Sequence, residues 1–274
     1  MKGKTGVRRS VIAGSWYPGD PARLRDTIRG YLANVPVRPL PGTLLGLVAP
    51  HAGYVYSGQV AAHAYAQLQG KLFARVVIVS PMHRTYPGRF AASDHAQYET
   101  PLGLVNVDKE LVEALGKLVT LNRVSEEMEH SLEIQLPFLQ YVLGDFSLTP
   151  IMMGDQDWDS ARTLGQALAQ CTRGQPILLV ASTDLSHFHS YQEATRLDQI
   201  VLDRIAAYDP QGLALELAAH RAEACGGGPV GAVMVACQQL GADRAVILSY
   251  MNSGDVTGDH SGVVGYAAAA LLRS

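Results

Sequence analysis

Six residues carry the types and spacings that could do chemistry: His51, His83, His130, Asp184, His187 and Cys225. Three short apolar runs lead into four of them. "LGLVAP" ends on His51, "VVIVSP" leads through Met82 to His83, and "LLVAST" runs into Asp184 and then His187. Neutral imidazole is the commonest side-chain metal ligand, so His51 and His83 are candidate ligands. The alternative for each is a loop histidine bonded to backbone. The repeated order of apolar run, proline and histidine favours the ligand reading.

Cys225 lies in "EACGGGPVGAVMVAC". Pro229 suits the first turn of a helix, and the glycines before it let the backbone approach a neighbour closely. A thiol beside a helix start can ionise more readily, and the thiolate is the metal-binding form. The alternative is a small buried hydrophobe, the reading that fits Cys171 and Cys237. In "STDLSHFHSY" the Asp-x-x-His spacing can bring Asp184 and His187 together on one turn, where a carboxylate orients an imidazole for acid/base work. Helix capping by Ser182, Thr183 or Asp184 is the competing use. His130 shares a helical face with Glu126 and Glu133 in "EEMEHSLEIQLPFL", as a proton-handling group beside carboxylates. A charged surface face is the ordinary reading of those glutamates. Tyr54 and Tyr56 are either pocket walls or packing residues.

The elements that must position these groups alternate between strand and helix. "LLGLVAP" (44–50), "ARVVIVSP" (74–81), "FSLTPIMM" (146–153) and "PILLVAST" (176–183) read as strands, the continuously apolar ones covered on both faces. "SGQVAAHAYAQLQG" (57–70) reads as a helix capped by Ser57, and 95–108 as a hairpin. Further helices are expected over 108–118, 157–171, 192–208, 210–221 and 229–240, with Pro137 forcing a kink or a late start in 126–139. Strands 244–253 and 262–272 end the chain. The pattern predicts an α/β fold: a single domain over 1–274 with a central, mostly parallel or mixed sheet flanked by helices. In open α/β sheets ligands bind beyond the carboxyl ends of the strands, where His51, His83 and Asp184 fall.

Bulk composition narrows the function. Of 274 residues, 47% are hydrophobic and 17% charged, and the formal net charge is −3. That balance gives no electrostatic case for nucleic acid as a partner. Three scattered cysteines do not make a disulfide framework. The first residues lack the apolar stretch of a signal peptide, and no apolar run approaches the ~20 residues that cross a bilayer. A cytoplasmic location with no membrane partner is the expectation. A P-loop, a G-x-G-x-x-G after a strand, H-E-x-x-H, paired C-x-x-C and G-x-S-x-G are all absent.

Six motifs occur in order: "AGSWYPGD", "APHAGYVYSG", "SPMHR", "EHSLEIQLPFLQ", "STDLSH" and "CGGGPVG". Together they resemble the Memo family, the mediator of ErbB2-driven cell motility and its bacterial and archaeal relatives, over Arg9 to Leu271. The resemblance implies a fold like that of the class III extradiol dioxygenases, which use non-haem iron. It implies a metal held by His51, His83 and Cys225. It maps Asp184, His187 and His130 onto the family's other polar positions. Arg84 stands where some relatives carry a second histidine. The resemblance further implies iron or copper binding, a redox activity, and AMMECR1-like and radical-SAM partner proteins.

The expected function is a mononuclear metalloprotein with oxidoreductase character, using Fe(II) first and Cu second. His187 would be the acid/base, oriented by Asp184. His130 would donate to a substrate or an O2-derived ligand, so the partner at the metal is a small molecule. Two alternatives stand beside this. One is a peptide- or partner-binding module in which His83, Arg84 and His187 attract an anionic group in a vestigial cleft. The other is a zinc hydrolase with His2Cys ligation.

Overall fold

The structure is a computed structural model, which describes residues 6–36, 39–84, 86 and 88–274. The chain runs β1 (Val7–Arg8), α1 (Pro21–Ala33), β2 (Thr43–Ala49), α2 (Tyr54–Tyr65), a 3-10 turn (Ala66–Leu68), β3 (Arg75–Pro81), β4 (Phe90–Ser93), β5 (Gln97–Thr100), β6 (Gly103–Val107), α3 (Lys109–Gly116), β7 (Leu121–Val124), α4 (His130–Glu133), α5 (Leu136–Leu143), β8 (Ser147–Met153), α6 (Trp158–Thr172), β9 (Ile177–Ser182), β10 (His187–His189), α7 (Tyr191–Ala206), α8 (Pro210–Ala218), α9 (Gly227–Gln239), β11 (Arg244–Asn252), α10 (Ser253–Thr257) and β12 (Val263–Arg273).

All the described strands join one mixed sheet, in the order β1-β5-β6-β8-β3-β9-β2-β12-β10 with β11 and β4–β7 attached beside it. Its centre, β6-β8-β3-β9-β2, is parallel. The hairpin β5–β6 and the pair β11–β12 are antiparallel, and β12 runs antiparallel to β2. The central strands are continuously buried: Val76 to Val79 in β3 and Leu178 to Ala181 in β9 lose all contact with solvent. Unbroken β-branched and leucine runs suit a layer covered by helices on both faces. α9 lies on β2, β3 and β9, with α6 packed behind it, while α2 lies against β2, β11 and β12. Gly46 makes the α9 contact possible, since a Cβ there would stand 2.8 Å from Cys237 Sγ.

Local chemistry moves some element ends from their expected places. α2 starts at Tyr54, three residues before Ser57, because the Trp16 carbonyl accepts the Tyr54 N–H at 2.8 Å. Ser57 instead donates to the Ala52 carbonyl. The 126–139 stretch becomes two short helices, α4 and α5, with Pro137 in the first turn of α5 where its missing N–H costs nothing. The residues after β9 form a loop into β10 rather than a capped helix, so Asp184 and His187 do not share a helical turn. Among the described residues no helix is long and apolar enough to cross a membrane.

Candidate metal centre

β3, β9 and β2 are adjacent and parallel, so their carboxyl ends open onto one crevice. His51 leaves β2, His83 leaves β3 and Asp184 leaves β9 there. His130 arrives on the first turn of α4, which packs against β3. One ring nitrogen from each of His51, His83 and His130 lies within 4.8 Å of the others. The ring centroids are 5.1 Å (His51–His83), 5.7 Å (His51–His130) and 4.5 Å (His83–His130) apart. The converging group therefore brings His130, expected to donate to a bound ligand, in beside the expected ligands His51 and His83.

Cys225 stands beside this trio. Its Sγ is 3.1 Å from His51 Nε2 and accepts the Asp184 N–H at 3.2 Å. The glycines bring it there: a Cβ on Gly226 would fall 2.2 Å from the Ser182 carbonyl oxygen, so only glycine lets the start of α9 press on the end of β9. Gln156 pins the turn from the other side, donating to the Cys225 carbonyl at 2.8 Å and accepting the Gly228 N–H at 2.9 Å. Nothing in the sequence had singled out Gln156. The expectation of a readily ionised thiol does not hold for the bare protein. Burial, and then the Asp184 charge, push the Cys225 thiol well above its ordinary value.

Glu129 is the other residue the sequence reading passed over, although it heads the motif "EHSLEIQLPFLQ". Its carboxylate is fully buried. It accepts the His83 Nδ1–H at 2.9 Å and the His83 backbone N–H at 2.8 Å, and it lies 3.3 Å from His130 Nδ1. Burial alone would raise the Glu129 pKa, but the hydrogen bonds from His83, with the charges of His83 and His130, outweigh it and hold the group at about 2. An ionised carboxylate only accepts, so His83 is protonated at Nδ1 and offers Nε2. A carboxylate behind an imidazole is the usual support of a metal-ligating histidine.

Of the two glutamates expected on a charged surface face, Glu126 is exposed but Glu133 is buried. Glu127 and Glu133 close on Arg8, which is itself buried, and Arg8 Nη2 also donates to the Glu129 carbonyl at 3.0 Å. Glu133 further accepts from Tyr17 Oη at 2.7 Å and the Val11 N–H at 3.0 Å. These donors come from the N-terminal segment, more than 100 residues away, which is why spacing along 126–139 could not reveal them. The cluster holds the Glu129–His130 backbone against β3.

Asp184 and His187 are not partnered as expected. The Asp184 carboxylate accepts the His51 N–H at 2.7 Å and is held by the Ala52 N–H. It thus ties β9 to the end of β2, and among the described residues its hydrogen bonds do not go to His187. Burial exceeds these bonds in effect and raises Asp184 to about 7. His187 lines the crevice, and its pKa falls through burial. Burial likewise drives His51 well below its ordinary value and His130 to about 4, so these two imidazoles are neutral donors of a lone pair.

The crevice above the trio is a cleft of about 640 Å³. Trp16, Tyr56, Phe188 and Tyr266 wall it, and no lysine or arginine is among its described lining residues. The Trp16 ring lies 4.5 Å from that of His130. Phe188, in a left-handed backbone conformation (φ 63°) and 79% exposed, stands at the rim. Tyr54 does not line the cleft; it is buried, with its hydroxyl on the Ile134 carbonyl. Arg84 lines a neighbouring depression instead.

Fold and site together define an α/β protein with a three-imidazole cluster at the carboxyl ends of parallel strands, able to hold one metal ion. The comparison with known sequences makes this specific. Residues 8–270 match the family described as Memo-like protein. A MEMO1 family protein of Methanosarcina acetivorans is 40% identical over 266 residues, covering 96% of this chain and 98% of the relative. One from Nitrosopumilus maritimus is 36% identical, covering 97% and 100%. The chain belongs to the Memo-like family. An uncharacterized protein from Escherichia coli K12 shares the fold, with a TM-score of 0.56 at 13% identity over 82% of this chain and 99% of that one.

Proposed function

We propose that this protein is a metal-dependent oxidoreductase acting on a small molecule bound over the histidine cluster, with Fe(II) as the first choice of metal and copper the second. The observation that carries the reading is the convergence of His51, His83 and His130, two of them backed by dedicated buried partners, at the floor of an aromatic-walled cleft. His51 and His83 are the common ligands. His130 completes a three-imidazole face, and Cys225 is a sulfur donor whose 3.1 Å spacing from His51 Nε2 suits two ligands of one ion. Imidazole accepts iron, copper or zinc, and sulfur tilts the preference toward Cu(I) or zinc. The metal would supply Lewis acidity and, if iron or copper, electron transfer.

The chain's own residues do the rest. Neutral His187 can take a proton from a ligand in the cleft. Asp184 fixes the turn that delivers His51. Trp16, Tyr56 and Phe188 offer faces for a flat, apolar ligand. The anion-binding module draws less support, because burial lowers the His187 pKa and Arg84 lines a neighbouring depression rather than this cleft. The zinc hydrolase uses the same donors and differs only in metal and reaction. Metal content after anaerobic purification, compared between the native protein and His51→Ala, tests the site: about one ion per chain is expected, falling to a small fraction. Unchanged content in the variant defeats the proposal. A thiolate-to-metal absorption band that disappears in Cys225→Ser places sulfur on the ion; a spectrum without it leaves the imidazoles as the ligand set. Consumption of O2 by the iron form but not the zinc form separates oxidoreductase from hydrolase.

A further inference from the structure

We infer that Ser182 is a positioning residue that locks His51 in its Nδ1–H tautomer and so aims the Nε2 lone pair into the cluster. The argument is an inventory of protons. The Ser131 carbonyl can only accept, so its 2.6 Å contact with Ser182 Oγ uses the single proton of the Ser182 hydroxyl. The Pro50 carbonyl can only accept as well, and it lies 3.0 Å from Gln135 Nε2, which fixes the direction of that amide. The same Nε2 donates to Ser182 Oγ at 2.8 Å, while Gln135 Oε1 takes the Tyr65 hydroxyl at 2.7 Å. Ser182 Oγ is left with one lone pair, facing His51 Nδ1 at 3.0 Å. His51 must therefore donate there.

Every member of this chain is buried: His51, Ser182, Ser131, Gln135 and Tyr65. No bulk water stands ready to rearrange the bonds. The opposite tautomer would need the Ser182 proton on His51 and would leave the Ser131 carbonyl unpaired in a dry interior. With Nδ1 protonated and the ring neutral, Nε2 carries the lone pair, 3.1 Å from Cys225 Sγ. His83 reaches the same state by a different device, the buried Glu129 carboxylate. One ligand is thus set by a neutral relay and the other by a charge.

The tautomer stands on the hydrogen bonds alone; its consequence for affinity rests on the metal-binding reading above. Histidine labelled with 15N in the metal-free protein reports the tautomer of each ring through long-range 1H–15N correlations. His51 is expected as Nδ1–H in the native protein. In Ser182→Ala an Nε2–H population appears for His51, while His83, anchored on Glu129, keeps its pattern. His51 found as Nε2–H in the native protein, or unmoved in Ser182→Ala, overturns the inference. So does an equal change at His83, which would mark general disturbance. Titration with Zn(II) supplies the second arm: Ser182→Ala is expected to bind on the order of 10- to 100-fold more weakly, as loss of a ligand's supporting hydrogen bond usually brings. If the tautomer switches as expected while even the native protein binds no Zn(II), the lock stands and the metal-binding reading fails.

Discussion

Glu129→Gln is the sharpest single perturbation of the centre. The side chain keeps its volume, but one carboxylate oxygen becomes an amide nitrogen that cannot accept. Glu129 Oε1 faces His83 Nδ1 at 2.9 Å and Ser131 Oγ at 2.9 Å, and Oε2 faces the His83 N–H at 2.8 Å. Either orientation of the amide sets a donor against a donor. A charge-assisted bond contributes about 1.5–3 kcal/mol, and Glu129 is fully buried, so water does not replace it. Metal-free Glu129→Gln should lose about that much stability in urea unfolding. The loss of ring orientation at His83 should weaken metal binding by roughly 10- to 100-fold. A double-mutant cycle with His83→Ala isolates the pair, because the affinity cost of Glu129→Gln should largely disappear once His83 is absent. Affinity within twofold of native, or an undiminished cost on the His83→Ala background, would refute the claim that Glu129 acts through His83.

Other perturbations address the scaffold. Arg8→Met leaves Glu127 and Glu133 buried without their cation and should cost about 3–5 kcal/mol in unfolding experiments. Gly226→Ala forces a Cβ toward the Ser182 carbonyl; a loss of about 1–3 kcal/mol is expected, with weaker or absent sulfur-to-metal absorption as Cys225 shifts. The His130 pKa drops from 6.5 unfolded to about 4 folded, so the unfolded chain binds the proton first as pH falls. Its contribution is present above pH 6.5, is lost between 6.5 and about 4, and amounts to about 3 kcal/mol at 1.36 kcal/mol per unit. Thermal unfolding of the metal-free protein across that window should lose this component in His130→Asn.

The legible parts of the fold were those governed by local rules. β3 and β9 announce themselves as continuous apolar runs, and α6 by Asp157 at its cap and its amphipathic spacing. Three site positions followed because strand ends in a parallel sheet face one crevice. α1, absent from the expected helices, also carries local marks: Asp20 at its cap, Pro21 in its first turn and the spacing Leu24, Ile28, Leu32. The rest was not local. Glu127 and Glu133 look like solvated charges until Arg8, Ser10 and Tyr17 arrive from the N-terminus. Asp184 is close to His187 in sequence but is taken by the His51 N–H, because β2 and β9 are neighbours in the sheet. In sequence His130 looks like a proton donor near the metal; only the docking of α4 against β3 puts its ring among those of His51 and His83.

Anomalous scattering from crystals of the protein loaded anaerobically with one equivalent of Fe(II) tests the central claim most directly. The account predicts one strong peak in the crevice, within about 2.0–2.3 Å of a ring nitrogen of both His51 and His83, the range typical of metal bonds to nitrogen and sulfur. A fully loaded protein whose peak lies away from both rings would contradict it.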